Sequence, residues 1–318
     1  MSASAPSPNF VPRETCPVCD ASARATLFSS GMTGEPLRSH LVSQYEAVGK
    51  IELEYLKDAT FTVVECADCG LVYHAEVPDD ALMARIYDQW IDADRALSSQ
   101  RAKRDLDGRL RFVRELALAE RRLRKGEPRL KVLDFGMGWG DWCSMAVAMG
   151  CEVYGHENSP LRIAHAEQRG IRVLSWNDLP GHCIDFINSE QVFEHLADPL
   201  GALKHLTSAL APGGILKLSV PDGADIKRRL AIGDWSAGEG SPRSLLSITP
   251  LQHVNCFNRR SLLELARRAG LAPVPLTLSE LYAANADVIA PGNLLGAITR
   301  PLGRRLFASD TYVYFERA

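Results

Sequence analysis

The chain has 318 residues, 46% hydrophobic and 24% charged, the proportions of a folded soluble protein rather than a disordered or fibrous one. Its 36 Lys and Arg against 39 Asp and Glu leave a net charge of −3, which excludes an overall basic footprint for nucleic acid. No run approaches about 18 consecutive apolar residues, so no membrane span is expected. The Ser- and Pro-containing start lacks the apolar stretch of a secretory signal, and a cytoplasmic location is the expectation.

In chain order, residues 1–12 read as a disordered leader. Residues 13–78 read as a small lobe carrying two C-x-x-C pairs, with strand-like runs at 51–55 and 59–64. Residues 79–128 read as a helical linker whose apolar face is Leu106, Leu110, Val113 and Ala117. Basic residues outnumber acidic ones between Gln100 and Lys131, which reads as a solvated helix face, with a polyanion site as the alternative. From 129 to 318 the texture becomes strand–turn–helix, with strands at 130–135, 151–155, 172–174, 184–188 and 215–220. Helices fall around 141–149, 160–169, 198–210 and 260–269. Two more strand candidates, 272–278 and 311–316, end the chain. Alternation of this kind predicts an α/β fold, a doubly wound parallel sheet with helices on both faces.

The eight cysteines split into two pairs and four singles. Cys16-Pro-Val-Cys19 and Cys66-Ala-Asp-Cys69 each set two thiolates on one side of a tight turn, and two such turns complete a tetrahedral zinc site. Four sulfur ligands leave no open position, so the zinc would be structural. Redox disulfides are the alternative, and His40 and His74 are fallback ligands. The four single cysteines read as small core residues.

Asp134-Phe-Gly136-Met-Gly138-Trp-Gly140 stands where the first parallel strand meets the first helix. Glycines there let backbone approach a ligand closely. The spacing is not the G-x-G-x-x-G of dinucleotide sites, because Asp141 takes the place of the last glycine.

An acid two residues before three alternating glycines resembles motif I of class I S-adenosylmethionine-dependent methyltransferases, and further motifs follow in order. Glu157 stands where that family holds the ribose hydroxyls. Asn177-Asp178 stands where it contacts the adenine, with Trp176 as an apolar wall. Asn188-Ser-Glu-Gln191-Val-Phe-Glu194-His195-Leu is similar to its segment after strand four, and Leu210-Ala-Pro-Gly-Gly-Ile-Leu216 to the turn before strand five. The resemblance implies a seven-stranded Rossmann-like fold and S-adenosylmethionine as cofactor, held by Asp134, Gly136, Gly138, Gly140, Glu157, Asn177, Asp178 and Gln191.

With Gly70-Leu-Val-Tyr73 and Ile86-Tyr87-Asp-Gln-Trp90, the cysteine pairs resemble the zinc-binding N-terminal region of bacterial methyltransferases of sugar and polysaccharide pathways, nucleotide-sugar enzymes included. Gln252-His253-Val-Asn-Cys-Phe257 resembles a further segment of that subgroup, after a loop long enough to be a lid. Histidine titrates near neutrality and suits a general base, so His195 is the expected base, with Glu194, His253 and Tyr87 as the other catalytic candidates. The expected function is methyl transfer to a small molecule, a sugar or nucleotide-linked sugar, with a quinone, polyketide or other natural product as the alternative acceptor. A zinc-ribbon binding module on a methyltransferase-like scaffold is the non-enzymatic alternative. No base-methylating tetrad follows strand four, so neither nucleic acid nor membrane is an expected partner. Oligomeric state is not legible.

Overall fold

The computed structural model describes residues 9–102, 106–123, 129–280, 282, 299 and 311–318. Its strands are β1 (Phe10–Pro12), β2 (Arg24–Gly31), β3 (Thr60–Cys66), β4 (Val72–His74), β5 (Glu76–Pro78), β6 (Lys131–Phe135), β7 (Glu152–His156), β8 (Arg172–Val173), β9 (Ile184–Glu190), β10 (Leu210–Ser219), β11 (Asn255–Cys256), β12 (Leu271–Pro273) and β13 (Tyr312–Arg317). Its helices are α1 (Leu37–Val48), α2 (Asp80–Arg85), α3 (Ala93–Ala102), α4 (Leu106–Leu123), α5 (Asp141–Ala148), α6 (Pro160–Glu167), α7 (Pro199–Ala209), α8 (Ile226–Ile232) and α9 (Arg259–Arg268). None is long and apolar enough to cross a membrane, among the described residues.

The chain divides into two compact units, and the division is not the sequential one expected. The first takes Met1–Ala102 together with Phe193–Leu200 and Pro221–Leu265; the second takes Lys103–Val192, Gly201–Val220 and Ala266–Ala318. Two segments expected to belong to a single 129–318 domain therefore pack with the cysteine-bearing lobe. The reason is visible in the pairing: β11 joins the four-stranded sheet β11-β4-β3-β2 of the first unit. Ile226, Leu230, Trp235, Leu245, Ile248 and Leu251 also enter its core beside Phe61, Leu82 and Trp90.

Two local expectations fail in this unit. Phe10–Pro12, expected as leader, is β1, paired antiparallel with β5; positions 1–8 lie outside the described residues. Leu53–Leu56, overlapping the strand expected at 51–55, is a 3-10 helix. Glu52 gathers Lys50, Arg85 and the Trp90 indole on one carboxylate, and that hub curls the chain.

The second unit holds a seven-stranded sheet in the order β12-β13-β10-β9-β6-β7-β8. β10, β9, β6, β7 and β8 run parallel to one another, and β13 runs antiparallel to both β10 and β12. This is the seven-stranded methyltransferase-like sheet that the motifs implied. β12 stops at Pro273 rather than continuing to 278, because Pro273 and Pro275 cannot donate to a ladder. The Pro212-Gly213-Gly214 turn lies inside β10 as an irregularity between Leu210 and Ile215. Strand order reverses between β6 and β9, the switch point outside which ligands bind in open α/β sheets.

The inward face of α4 differs from expectation. Leu116 and Ala119 are buried with Phe112 and Leu123 against the sheet core, whereas Leu106 is 65% exposed. Glu115 sets that rotation. Its buried carboxylate accepts from Lys217 Nζ (3.0 Å), the Tyr312 hydroxyl (2.5 Å) and the Trp142 indole (3.0 Å). Lys217, fully buried on β10, also reaches Glu190 at 3.0 Å, and Arg111 meets the other Glu190 oxygen at 2.6 Å. Burial alone would raise the Glu190 carboxyl; Lys217 and Arg111 outweigh it and hold the group below the usual carboxylate range. Glu115→Ala should leave the Lys217 ammonium short of its buried partner and cost about 3–5 kcal/mol. Urea denaturation reads this directly; a loss below about 1 kcal/mol would contradict the network's role.

Candidate metal centre and active-site residues

Cys16 and Cys19 lie between β1 and β2; Cys66 ends β3 and Cys69 sits in the turn to β4. The two turns are built alike: the Cys16 amide donates to Ala21 O (2.9 Å) and the Cys66 amide to Leu71 O (2.9 Å). They bring all four Sγ atoms within 4.8 Å of one another, buried. Cys16–Cys69 is 3.6 Å and Cys19–Cys66 is 3.4 Å, far beyond a disulfide bond of about 2.05 Å. Zinc–sulfur bonds of about 2.3 Å put tetrahedral ligands about 3.8 Å apart, so the pocket already has the size of a zinc site. The hydrogen bond with Cys69 pushes the Cys16 thiol down to about 5, while burial pushes Cys19 up to about 11. Neither fallback histidine joins the four sulfurs. His40 Nδ1 donates to Trp235 O instead (2.7 Å), and His74 is buried against Phe61.

The glycine loop lies in the second unit, at the end of β6. The Gly136 and Met137 amides both donate to His156 O, at 2.9 and 3.0 Å, tying the loop to the end of β7. Gly138 adopts φ +55°, and a Cβ there would meet nothing within 4 Å. Its open side is the cradle expected for a ligand that approaches backbone. A Cβ on Gly136 would instead lie 2.4 Å from Val192, so that glycine serves packing. Glu157 accepts from the amides of Gly138 (3.0 Å), Asn158 (2.9 Å) and Ser159 (3.1 Å), so the expected ribose acid also shapes the loop.

Asp134 is buried beneath the loop rather than facing outward. It accepts from Asn188 Nδ2 at 2.7 Å, and burial pushes its carboxyl up to about 7. Trp176, Asn177 and Asp178 form an exposed 3-10 turn; the Trp176 ring stacks on His205 at 4.0 Å, and Asp178 accepts from Ser175 at 2.6 Å. Phe135 and His156 stack at 5.1 Å next to Trp176. Gln191 is exposed, with φ +55°, and its amide donates to Ser219 O.

The catalytic candidates belong to the first unit. Glu194 and His195 form a short 3-10 turn, and their donor atoms converge with those of His253 to within 4.8 Å. Glu194 is fully buried, with His195 Nε2 3.9 Å from its Oε1. The two imidazoles meet edge to face at 4.7 Å. His195 Nδ1 donates to Gln252 O at 2.9 Å and His253 Nδ1 to Leu246 O, so Nε2 is the lone-pair nitrogen of each ring. Burial pushes His253 below the ordinary imidazole range. Tyr87 stands on a π-helical turn, Ile86–Trp90, with 38% of its surface exposed.

Two residues that no motif pointed to hold this cluster. Asn255 Nδ2 donates to Phe193 O (3.0 Å) and Leu196 O (2.7 Å). Arg13 donates to Asn255 Oδ1 (2.8 Å), Leu196 O (3.2 Å) and Ala197 O (2.9 Å). Asn255 falls in the Gln252–Phe257 segment without a chemical signal of its own, and Arg13 has only its place three residues before Cys16.

Elemental analysis should find a tightly held zinc at the four sulfurs, and Cys66→Ser should lose that zinc and increase protease cleavage within 9–102. Unchanged zinc content in that variant would contradict the four-sulfur assignment.

A family model described as a methyltransferase domain matches residues 103–276. The ubiquinone biosynthesis O-methyltransferase of Cereibacter sphaeroides is 30% identical over 160 residues, 46% of this chain and 61% of that protein. The trans-aconitate 2-methyltransferase of Methylobacterium radiotolerans is 32% identical over 130 residues, 36% of this chain and 49% of that one. The chain thus spans about three fifths, or less, of the length of these curated relatives. A solved plantazolicin methyltransferase is 15% identical, covers 74% of this chain and 92% of its own, and has a TM-score of 0.47. The family model spans more than half of the sequence, and the chain belongs to the methyltransferase domain family.

Proposed function

We propose that the protein transfers a methyl group from S-adenosylmethionine to a small-molecule acceptor, a sugar or nucleotide-linked sugar. The observation that carries this is the loop at the end of β6, where Gly138 keeps an open face and Glu157 sits against its amide at the sheet's switch point. Bound there, the cofactor supplies a methyl group already activated on a sulfonium. The chain's own task is then to hold, orient and deprotonate. Gly138 leaves room for the ligand, and Glu157 is the acid for its ribose hydroxyls, with Trp176, Asn177 and Asp178 at the adenine end. Gln191 is assigned to the same ligand. Asp134, buried, supports the loop from below.

His195 is the assigned base. Its Nδ1–H is committed to Gln252 O, which leaves the Nε2 lone pair to accept the acceptor's proton. Glu194 at 3.9 Å stabilises the imidazolium that results. His253 stands against the same ring, and Tyr87 is assigned to cover the site. The buried four-cysteine centre would hold zinc as a structural support. A sugar acceptor is favoured by the motif pattern of the cysteine lobe and by the polar cluster that it holds. A quinone is the second reading, favoured by what the Cereibacter relative is named for.

Gly138→Val should abolish S-adenosylmethionine binding in calorimetry while circular dichroism stays native, and Glu157→Ala should weaken it by about 1–3 kcal/mol. Wild-type affinity in Gly138→Val would refute the loop assignment. With an acceptor found by screening nucleotide sugars and quinones, His195→Ala should lower turnover about 10²- to 10⁴-fold at unchanged cofactor affinity. Equal loss of both would make His195 structural.

A further inference from the structure

We infer that Glu194, His195 and His253 form a second metal site, distinct in chemistry from the four cysteines, that takes a divalent first-row transition ion. Two imidazole nitrogens and one carboxylate are a borderline donor set suited to zinc, cobalt, nickel or ferrous iron rather than to magnesium or calcium. Three observations support it. The donor atoms already lie within 4.8 Å of one another, and bonds of about 2.0–2.2 Å in tetrahedral geometry would draw them to about 3.4 Å apart by side-chain rotation. Both rings have their Nδ1–H on a backbone carbonyl, Gln252 O and Leu246 O, so both direct the tautomer with Nε2 as ligand. A fixed tautomer of this kind is what supporting hydrogen bonds give metal-bound histidines. The third donor, Glu194, is fully buried, with its Oε1 3.9 Å from His195 Nε2, so a carboxylate stands beside the lone-pair nitrogen in a dry setting that favours metal coordination.

Three protein ligands leave coordination positions open, in contrast to the closed four-sulfur centre. The ion has a consequence that rests on the proposed base role. The lone pair of His195 Nε2 cannot hold an ion and the acceptor's proton together, so an ion at the trio competes with proton uptake. The site is thereby a point of control by transition-metal supply.

The test uses full-length protein with the cysteine centre filled by zinc, titrated with cobalt(II). The expected result is saturable uptake of one cobalt per chain, with ligand-field bands and no thiolate-to-cobalt charge transfer. Glu194→Gln and His253→Ala should each weaken uptake by about 100-fold or more, the upper end of what loss of a supporting group costs. Calorimetry with S-adenosylhomocysteine on the same samples keeps this separate from the methyltransferase reading. Unchanged cofactor affinity shows that the variants are folded, and its absence in wild type counts against the proposed function, not the metal site. Thiolate bands, no saturable uptake, or equal uptake by wild type and both folded variants would overturn the inference.

Discussion

The hydrogen bonds from Arg13 and Asn255 to the carbonyls of Phe193, Leu196 and Ala197 are the constraint on which the proposed chemistry depends. Glu194 and His195 sit in the segment so held, and a turn of three residues has too few internal bonds to fix them by itself. Asn255 is fully buried and spends its amide on two carbonyls and its oxygen on Arg13. Burial pushes the Arg13 guanidinium down to about 10, a cost offset by several acceptors in fork geometry. Arg13 in turn stands beside the Cys16 turn, and Asn255 beside β4. Metal centre, clamp and histidine cluster thus form one chain of contacts inside the first unit. In the proposed reaction the four cysteines act at one remove, by fixing the backbone from which Arg13 reaches.

The second unit solves a different problem. Its sheet carries a polar row in register, Asp134 on β6, Asn188 on β9 and Lys217 on β10. These groups lie in a core where an unpaired charge would be costly. Each is answered: Asp134 by Asn188, Lys217 by Glu115 and Glu190. The answer for Lys217 comes from α4, so the helix is locked in rotation by chemistry rather than by its apolar stripe. Above the row, the glycine loop is held by backbone bonds to His156 and by Glu157, leaving one face of Gly138 uncovered.

Much of this was legible in the sequence because it is written locally. Strand–turn–helix alternation located the parallel strands within a few residues, since their apolar residues cluster in short segments between turn and helix signals. The alternating glycines and the paired cysteines announce themselves by spacing. What escaped depends on distant partners. The α4 face is not legible because Glu115 is charged and its partner Lys217 lies far along the chain. The allotment of 193–200 and 221–265 to the first unit escaped because it rests on the pairing of β11 with β4 and on Asn255, neither of which has a local pattern. Leu53–Leu56 alternates like a strand, yet Glu52 bonds Arg85 and Trp90 and curls it. His195, Glu194 and His253 were each singled out; that their donor atoms converge is a fact of folding alone.

The central claim is that Arg13 and Asn255 hold the segment that carries the proposed base, His195. Asn255→Ala tests it most directly, because the Asn255 side chain bonds the Phe193 and Leu196 carbonyls and Arg13 and is not among the residues assigned to the cofactor. Transfer of isotope-labelled methyl from S-adenosylmethionine, measured beside the cofactor's dissociation constant, should show a large fall in turnover with affinity preserved. Turnover equal to wild type would contradict the account.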